Sequence, residues 1–418
     1  MLARRLFALL CLGSAVLLAP GAARADARAL HDDIRITRNG EFTKDNGVVS
    51  GRGTPRDPFV ISGWDVHTIE IKDTSKAFRI ENNSIHSQLV LNWVGRNVVV
   101  RGNDIGDLRV NENIPRHGAP TSGVIEKNTF GFVGQLRHFD GMFVHNTVGY
   151  PRNNFSWPWD SQAVNFDGFN GAHFAYNTIY GYVDARLHGH HHSSGFAEGS
   201  HMHAGEDHEM VDHTKRWHEV FIHDNHIVTA NYYALSYLDT NHAGNDRTAA
   251  SETNPDLKAP HIHRTRVHIM DNVLEGGGML IDVFNARDEL HTRLGRGAVH
   301  VTGNRITLAK GPFYPFDIRH GIEVWQARAL DLHIADNTIE APVRSGGLFA
   351  PRAAGIFLNV LDRATVEIMD NAVTNQYYGV QASQLTERVH WMVHGLRTHN
   401  VGEDVSYDDS VQNAPERG

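Results

Sequence analysis

The densest group of metal-competent side chains in this sequence is a histidine-rich stretch between Leu187 and Lys215. The chain has 29 histidines among 418 residues, which is its main compositional peculiarity. Neutral imidazoles beside carboxylates suit Zn, Cu, Ni or Fe, and the interleaved Met202 and Met210 would suit Cu(I). A His-rich tract can also bind metal only adventitiously, and that alternative stays open. The candidate metal ligands are His190, His192, His201, His203, His208 and Asp246.

A second group, just beyond these histidines, could transfer protons. A carboxylate such as Asp239 can hold the imidazole of His242 in one tautomer, and the Arg247 guanidinium can neutralise a substrate carboxylate. His291 is an alternative base further along the chain. A local turn network that merely stiffens the backbone is the structural alternative. The candidate catalytic residues are Asp239, His242, Arg247, Asp282 and His291.

Carboxylates and a tryptophan recur at alternate positions of several predicted strands, on the side that must face away from the core. Two carboxylates about 5–10 Å apart could cleave a glycosidic bond, one as acid and one as base or nucleophile. Carboxylates on neighbouring strands could instead hold Ca²⁺, and a solvated face of an acidic protein is the structural alternative. Asp282 belongs to this stripe. The candidate substrate-binding residues of the stripe are Asp184, Arg186, Glu323 and Trp325.

These residues must be positioned by a repeated unit, apolar-x-x-Asn-x-apolar, of which VHIMDNVL (267–274) and VEIMDNAV (366–373) are clear copies. Apolar and polar residues alternate with a period of two, which predicts a β-strand, and the Asn marks the turn that follows. Histidines inside these strands, such as His223, His268 and His300, are expected to be ordinary solvent-facing residues. The Asn residues are expected to stack structurally, and they are Asn83, Asn103, Asn128, Asn146, Asn177, Asn225, Asn272, Asn304, Asn337 and Asn371.

Ten copies of one strand-and-turn unit predict a solenoid. A leucine-rich repeat would keep a regular period of about 20–29 residues, and a β-propeller one of about 40–45. Here the spacing between successive Asn residues is irregular, and the strands favour Val and Ile. A parallel β-helix tolerates irregular spacing, because insertions leave from its turns while its strands stay in register. The predicted fold is therefore all-β, a single-stranded right-handed parallel β-helix with long turn insertions.

The longest insertions follow three successive repeats and are expected to leave from the same turn on consecutive coils. They run from Leu187 to Lys215, from Thr240 to Pro260 and from Asn285 to Gly297. Long loops inside a compact fold usually carry function. The register therefore predicts three neighbouring loops that wall one cleft.

The chain begins with a basic and then apolar stretch that predicts a secretory signal peptide over residues 1–25. We expect a cap over residues 26–65, the β-helix over 66–400 and a polar C-terminal tail over 401–418. The apolar run is too short for a membrane span, so a secreted or periplasmic protein is expected. We also expect a monomer. The formal net charge of −9 argues against nucleic acid and anionic membrane surfaces as partners.

The run G-x-G-T-x-x-D-P-F-x-I-x-G-W at residues 51–64 resembles the opening of secreted right-handed parallel β-helix proteins. With the Asn repeats, the likeness to the pectin-lyase-like superfamily covers roughly residues 50–395, and the opening resembles the periplasmic copper-maturation proteins of NosD type. This resemblance implies the β-helix fold. It implies little about activity, because that fold hosts lyases, epimerases and hydrolases, and no polygalacturonase-like or epimerase-like motif is found here.

Three functional hypotheses follow. The first is a carbohydrate-active protein, a metal-assisted lyase on an acidic polysaccharide, in which Arg247 or a metal neutralises the uronate. His242 or His291 would then remove the neighbouring proton, with Asp239 or Asp282 as orienting group or metal ligand. A glycoside hydrolase would use the same carboxylates differently. The second is a non-enzymatic metal-binding protein of NosD type, and the third is a polysaccharide-binding or structural surface protein. The divalent metal could be Ca, Zn or Cu.

Overall fold

The structure, a computed structural model, describes residues 28–111, 122–139, 141–151, 162–168, 172–187, 218–238, 265–283, 297–309, 319–328, 330–342 and 353–417. Two short 3₁₀ helices, Asn39–Glu41 and Lys44–Asn46, lie near the start. The described part contains no helix long and apolar enough to cross a membrane. Strands make up the rest of the regular structure, and their side chains alternate between the core and the outside, as the period-two pattern predicts.

In chain order the strands are β1 (Ala29–Leu30), β2 (Ile34–Ile36), β3 (Val48–Ser50), β4 (Phe59–Ser62), β5 (Trp64–Thr74), β6 (Phe78–Glu81), β7 (Ser84–Val94), β8 (Arg96–Arg101), β9 (Asp104–Asn111), β10 (Ser122–Glu126), β11 (Thr129–Phe139), β12 (Met142–Val144), β13 (Thr147–Val148), β14 (Gln162–Gly168), β15 (His173–Ala175), β16 (Thr178–Tyr180), β17 (Tyr182–Leu187), β18 (His218–His223), β19 (His226–Val228), β20 (Tyr233–Leu238), β21 (Thr265–Met270), β22 (Val273–Gly276), β23 (Gly278–Val283), β24 (Gly297–Thr302), β25 (Arg305–Leu308), β26 (Ile322–Arg328), β27 (Leu330–Ala335), β28 (Thr338–Glu340), β29 (Ala354–Asp362), β30 (Thr365–Met369), β31 (Ala372–Thr374), β32 (Tyr378–Leu385), β33 (His390–His394), β34 (Arg397–His399), β35 (Glu403–Tyr407) and β36 (Glu416–Arg417).

These strands wind into a right-handed parallel β-helix with three faces, which confirms the predicted fold. Within the described residues, face 1 is a 14-stranded sheet that contains the strand before each Asn, such as β21, β24 and β27. Face 2 holds the short strands after each Asn turn, such as β19, β22 and β25. Face 3 holds the strands that follow, including β14, β17, β20, β23, β26, β29 and β32. Faces 2 and 3 join in one 22-stranded sheet of the described chain, because the long strands β5, β7, β9 and β11 run through both.

The core is one continuous column, since equivalent inward residues of successive coils lie opposite one another. On face 1, Val267, Val299 and Leu332 are paired in register and nearly fully buried. Phe143 and Phe174 stack in the neighbouring inward row of face 1, with ring centroids 5.1 Å apart. β-Branched and aromatic side chains suit this pleated, buried surface, which is why the strands favour Val and Ile.

The Asn residues form a hydrogen-bonded ladder along the axis, as predicted. The Nδ2 of Asn272 donates to Asn304 Oδ1 on the next coil at 2.9 Å and to the Ile222 carbonyl at 2.9 Å. The backbone N–H of Asn272 also donates to Asn304 Oδ1. The residue before the Asn is in the left-handed region, for example Asp271 with φ 53°. Asp tolerates that conformation, and the ten Asn side chains are buried.

The predicted polar tail is wrong in part, because the solenoid continues through it. Strand β35 pairs in parallel with β32, and β36 pairs with β33. Val405 and Val411 pack against the end of the core, and the indole of Trp391 donates to the Asn413 carbonyl at 2.8 Å. The apolar positions were too few to stand out among the acidic residues, yet they suffice to cover the last coil.

Val360 of β29 is in a strained conformation that should be easy to relieve. Its φ is 55°, in the left-handed region that β-branched residues disfavour, and its side chain is 36% exposed. We expect Val360→Asn to raise the free energy of unfolding by about 1 kcal/mol, because Asn tolerates that region. Urea denaturation measures the effect. Val49→Asn, at an exposed strand valine without a positive φ, is the control. An equal or lower midpoint for Val360→Asn would contradict the strain argument.

Candidate functional site on the outer side of face 3

The predicted stripe lies on the outer side of face 3, where register stacks equivalent residues of successive coils. Its central column reads Asn165, Asp184, Ser236, Leu280, Glu323 and Phe357. Asp184 and Glu323 are therefore three coils apart, or about 14 Å at the spacing between strands. These two carboxylates are too far apart to act as an acid–base pair. They are also covered rather than solvated, with exposed fractions of 6% and 4%.

Glu323 is held by a tyrosine from two coils earlier. The hydroxyl of Tyr233 donates to Glu323 Oε2 at 2.7 Å. Between the two coils lies Gly278, which is opposite Tyr233 in register. A Cβ at Gly278 would lie 2.2 Å from the His320 carbonyl oxygen, so only glycine fits this close approach of two backbones. Gly278 thus allows neighbouring coils to pack closely at the point where the Tyr233 side chain crosses from its own coil to Glu323.

The environment of this pair favours the protonated forms. Burial raises the pKa of the Glu323 carboxyl above its usual value, and the hydrogen bond from Tyr233 partly opposes that shift. Burial, followed by the negative charge of Glu323, raises the pKa of Tyr233 far above its usual value. The nearby Asp282 adds to that effect. Tyr233 therefore keeps its proton, and Glu323, whose pKa is raised, is the group of the pair that can gain or lose one.

Arg319 and His320 fix the backbone just before β26, the strand that carries Glu323. Nη1 of Arg319 donates to the Gly276 carbonyl at 2.7 Å and to the Asn231 carbonyl at 3.2 Å. The Nδ1 of His320 accepts the backbone N–H of Ala354 at 3.0 Å. The His320 ring also stacks on Phe357, with centroids 4.5 Å apart. These contacts set the position of Glu323 from both neighbouring coils.

Trp325 is the exposed aromatic residue beside these carboxylates. The register between β23 and β26 shifts after Ile281, so that Asp282 lies opposite Gln326. Trp325 is the extra residue of this bulge, and its side chain is 44% exposed. Bulges re-aim side chains in this way. An exposed indole beside a partly exposed Asp282 is an arrangement that can stack on a sugar ring.

The remaining predicted residues lie mostly outside the described chain. The register nevertheless places Arg186, Leu238 and Asp282 opposite one another at the ends of β17, β20 and β23. The three predicted insertions thus follow neighbouring strands of one face. For Arg186 only the backbone position is described. Outside the described residues lie Asp239, His242, Arg247, His291, His190, His192, His201, His203, His208 and Asp246.

No group of three or more His, Cys, Asp or Glu side chains that could hold a metal lies within the described residues. Sequence reasoning did not find Tyr233, Arg319 or His320. A signal was present, because Tyr232-Tyr233 stands at the start of β20 and Arg319-His320 stands just before β26, both of which are face 3 strands. This signal does not reveal the hydrogen-bond partners of these residues, because those partners lie 34 to 90 residues away in the chain.

Comparison with known proteins gives no match: no family model fits the chain, and no curated protein or solved structure is significantly similar to it.

Proposed function

We propose that the protein is a secreted enzyme that acts on an acidic polysaccharide by proton transfer, most simply as a lyase. The observation that supports this most directly is the buried Glu323, hydrogen-bonded by Tyr233, whose hydroxyl also senses the charge of Asp282. Glu323 lies on face 3, and the three predicted insertions follow neighbouring strands of that face. A raised carboxyl pKa is the property that a general base or acid needs near neutral pH.

In the proposed reaction, Glu323 removes the proton from the carbon next to the uronate carboxylate. The electron pair left behind forms a carbon–carbon double bond as the neighbouring glycosidic C–O bond breaks. The leaving oxygen takes up a proton, so the products are one unsaturated and one ordinary chain end. Trp325 would stack on a sugar ring. Neutralisation of the uronate is assigned to Arg247, a prediction that rests on the sequence alone.

Incubation with alginate, pectate and glycosaminoglycans tests the proposal. We expect new ultraviolet absorbance from unsaturated ends with at least one of these polymers. New reducing ends without that absorbance would assign the carboxylates to hydrolysis instead. Neither product across the panel would contradict a carbohydrate-degrading function.

Replacement of Glu323 with Gln is expected to lower the turnover rate about 100-fold or more, because a general base contributes 10²–10⁴-fold. Gln can still accept the Tyr233 hydrogen bond, so the fold should be kept. Glu340→Gln, at an exposed glutamate of face 2, is the matched control and should keep wild-type activity. Equal rates for both variants would remove Glu323 from the mechanism.

A second candidate function is a periplasmic metal-binding protein, which the histidine-rich stretch between β17 and β18 favours. Elemental analysis of purified, untagged protein would distinguish the two. Metal that stays bound after washing with chelator, without any polymer cleavage, would favour this alternative. Substoichiometric metal that the chelator removes would count against it.

A further inference from the structure

A row of stacked rings runs along the outer side of face 1. The column contains His173, Phe221, His268, His300 and His333 in register. Successive centroids are 4.5, 4.8, 5.1 and 5.7 Å apart, and the first three pairs are nearly parallel. The strand histidines are thus more than the ordinary solvent-facing residues that the sequence suggested. Because their faces cover one another, the ring edges are left to contact other groups.

At one end of this row, two imidazoles approach each other edge to edge. Nδ1 of His173 lies 3.3 Å from Nε2 of His223 on the next coil. We infer that His173 and His223 form a binding site for a late first-row divalent transition metal ion, such as Zn²⁺, Ni²⁺ or Cu²⁺. Two nitrogens that each lie about 2.05 Å from a tetrahedral zinc are about 3.3 Å apart. The two rings meet at 84°, so a modest ring rotation would bring both lone pairs onto one ion.

Both rings are held in place by neighbours that are not ligands. Nδ1 of His223 pairs with Asp224 Oδ2 at 2.8 Å, which assigns the proton to Nδ1 and leaves the Nε2 lone pair free for a metal. Such a carboxylate behind a ligating imidazole fixes its tautomer and raises its basicity. His173 is stacked on Phe221 at 4.5 Å. Burial, and then the neighbouring His223, lower the pKa of His173.

The ligand type determines which metal would bind. Two imidazole nitrogens select Zn²⁺, Cu²⁺ or Ni²⁺ over Ca²⁺ and Mg²⁺, which prefer oxygen. In the described part of the chain no third His, Cys, Asp or Glu completes a set of ligands, so water would fill the remaining positions. The His223 side chain is 18% exposed, which gives solvent access. This site lies on face 1 and does not depend on the function proposed for face 3.

Crystals soaked in zinc chloride and measured at the zinc absorption edge test the inference. We expect an anomalous peak about 2.0–2.1 Å from both His173 Nδ1 and His223 Nε2. The position of the peak separates this site from zinc bound by the sequence-predicted ligands such as His201 and His203. Peaks at other histidines only, or no peak, would overturn it.

Variants at limiting zinc test the roles of the individual residues. Asp224→Asn is expected to weaken binding at this site about 10–100-fold, the usual loss for a group behind a metal-ligating His. The double variant that carries both His173→Ala and His223→Ala should bind one zinc ion fewer per chain than the wild type. His300→Ala, which removes a ring of the same row, should leave the peak unchanged. An unchanged peak in the Asp224 variant would remove Asp224 from the site, and an unchanged stoichiometry in the double variant would refute the site.

Discussion

Replacement of Asn272 with alanine is expected to lower the free energy of unfolding by about 4 kcal/mol. The change leaves the carbonyl of Ile222 and the backbone N–H of Asn225 without their side-chain partners. Both groups lie where water cannot reach, and each buried polar group that loses its partner costs about 1–3 kcal/mol. The cavity left by the amide adds to the loss. Urea denaturation followed by circular dichroism measures the effect.

Gln412 provides the matched control, because its side-chain amide also contacts the neighbouring coil but lies at the surface. Its Oε1 accepts the backbone N–H of Glu387 at 2.9 Å, the pair is exposed, and Gln412 has no positive φ. Gln412→Ala should change stability by less than about 0.5 kcal/mol, as exposed substitutions usually do. Similar unfolding midpoints for the two variants would show that the ladder contributes little. A solenoid is stabilised by contacts between neighbouring coils, so a break in the middle should also make unfolding less cooperative.

The sequence predicted the architecture because the repeat specifies it locally. Each Asn marks where a strand turns, and the residue four positions before it points outward on face 1. Counting back from Asn272, Asn304 and Asn337 gives His268, His300 and His333, so the stacked row could have been found in the same way. What was missing was the comparison of equivalent positions from coil to coil.

Burial on the outer side of face 3 could not be predicted in this way. Strand alternation places Asp184 and Glu323 outside the core, but the alternation does not reveal whether other chain segments cover them. The Tyr233–Glu323 hydrogen bond joins residues 90 positions apart, and no local pattern encodes it. The bulge that exposes Trp325 depends on a register shift between two strands, which the sequence of either strand alone does not show.

A fall in pH should destabilise the fold through His320. This residue is 7% exposed, and burial lowers its pKa from 6.5 to about 4. An unfolded chain takes up the proton once the pH falls below about 6.5, whereas the folded protein resists protonation until about 4. The contribution of neutral His320 to the free energy of unfolding is therefore fully present above about pH 6.5, and it is lost progressively as the pH falls from about 6.5 to 4. A shift of this size corresponds to about 3 kcal/mol.

His320→Asn separates this titration from the structural role of the ring. The Asn side chain can still accept the N–H of Ala354, as Nδ1 of His320 does, but it cannot take up a proton. We expect the variant to lose some stability at pH 7, through the lost stacking on Phe357, and to depend less on pH between 6.5 and 4. His390→Asn, at an exposed histidine of β33, should keep the wild-type pH profile. Parallel pH profiles for wild type and His320→Asn, from urea denaturation, would show that His320 is not the source of acid sensitivity.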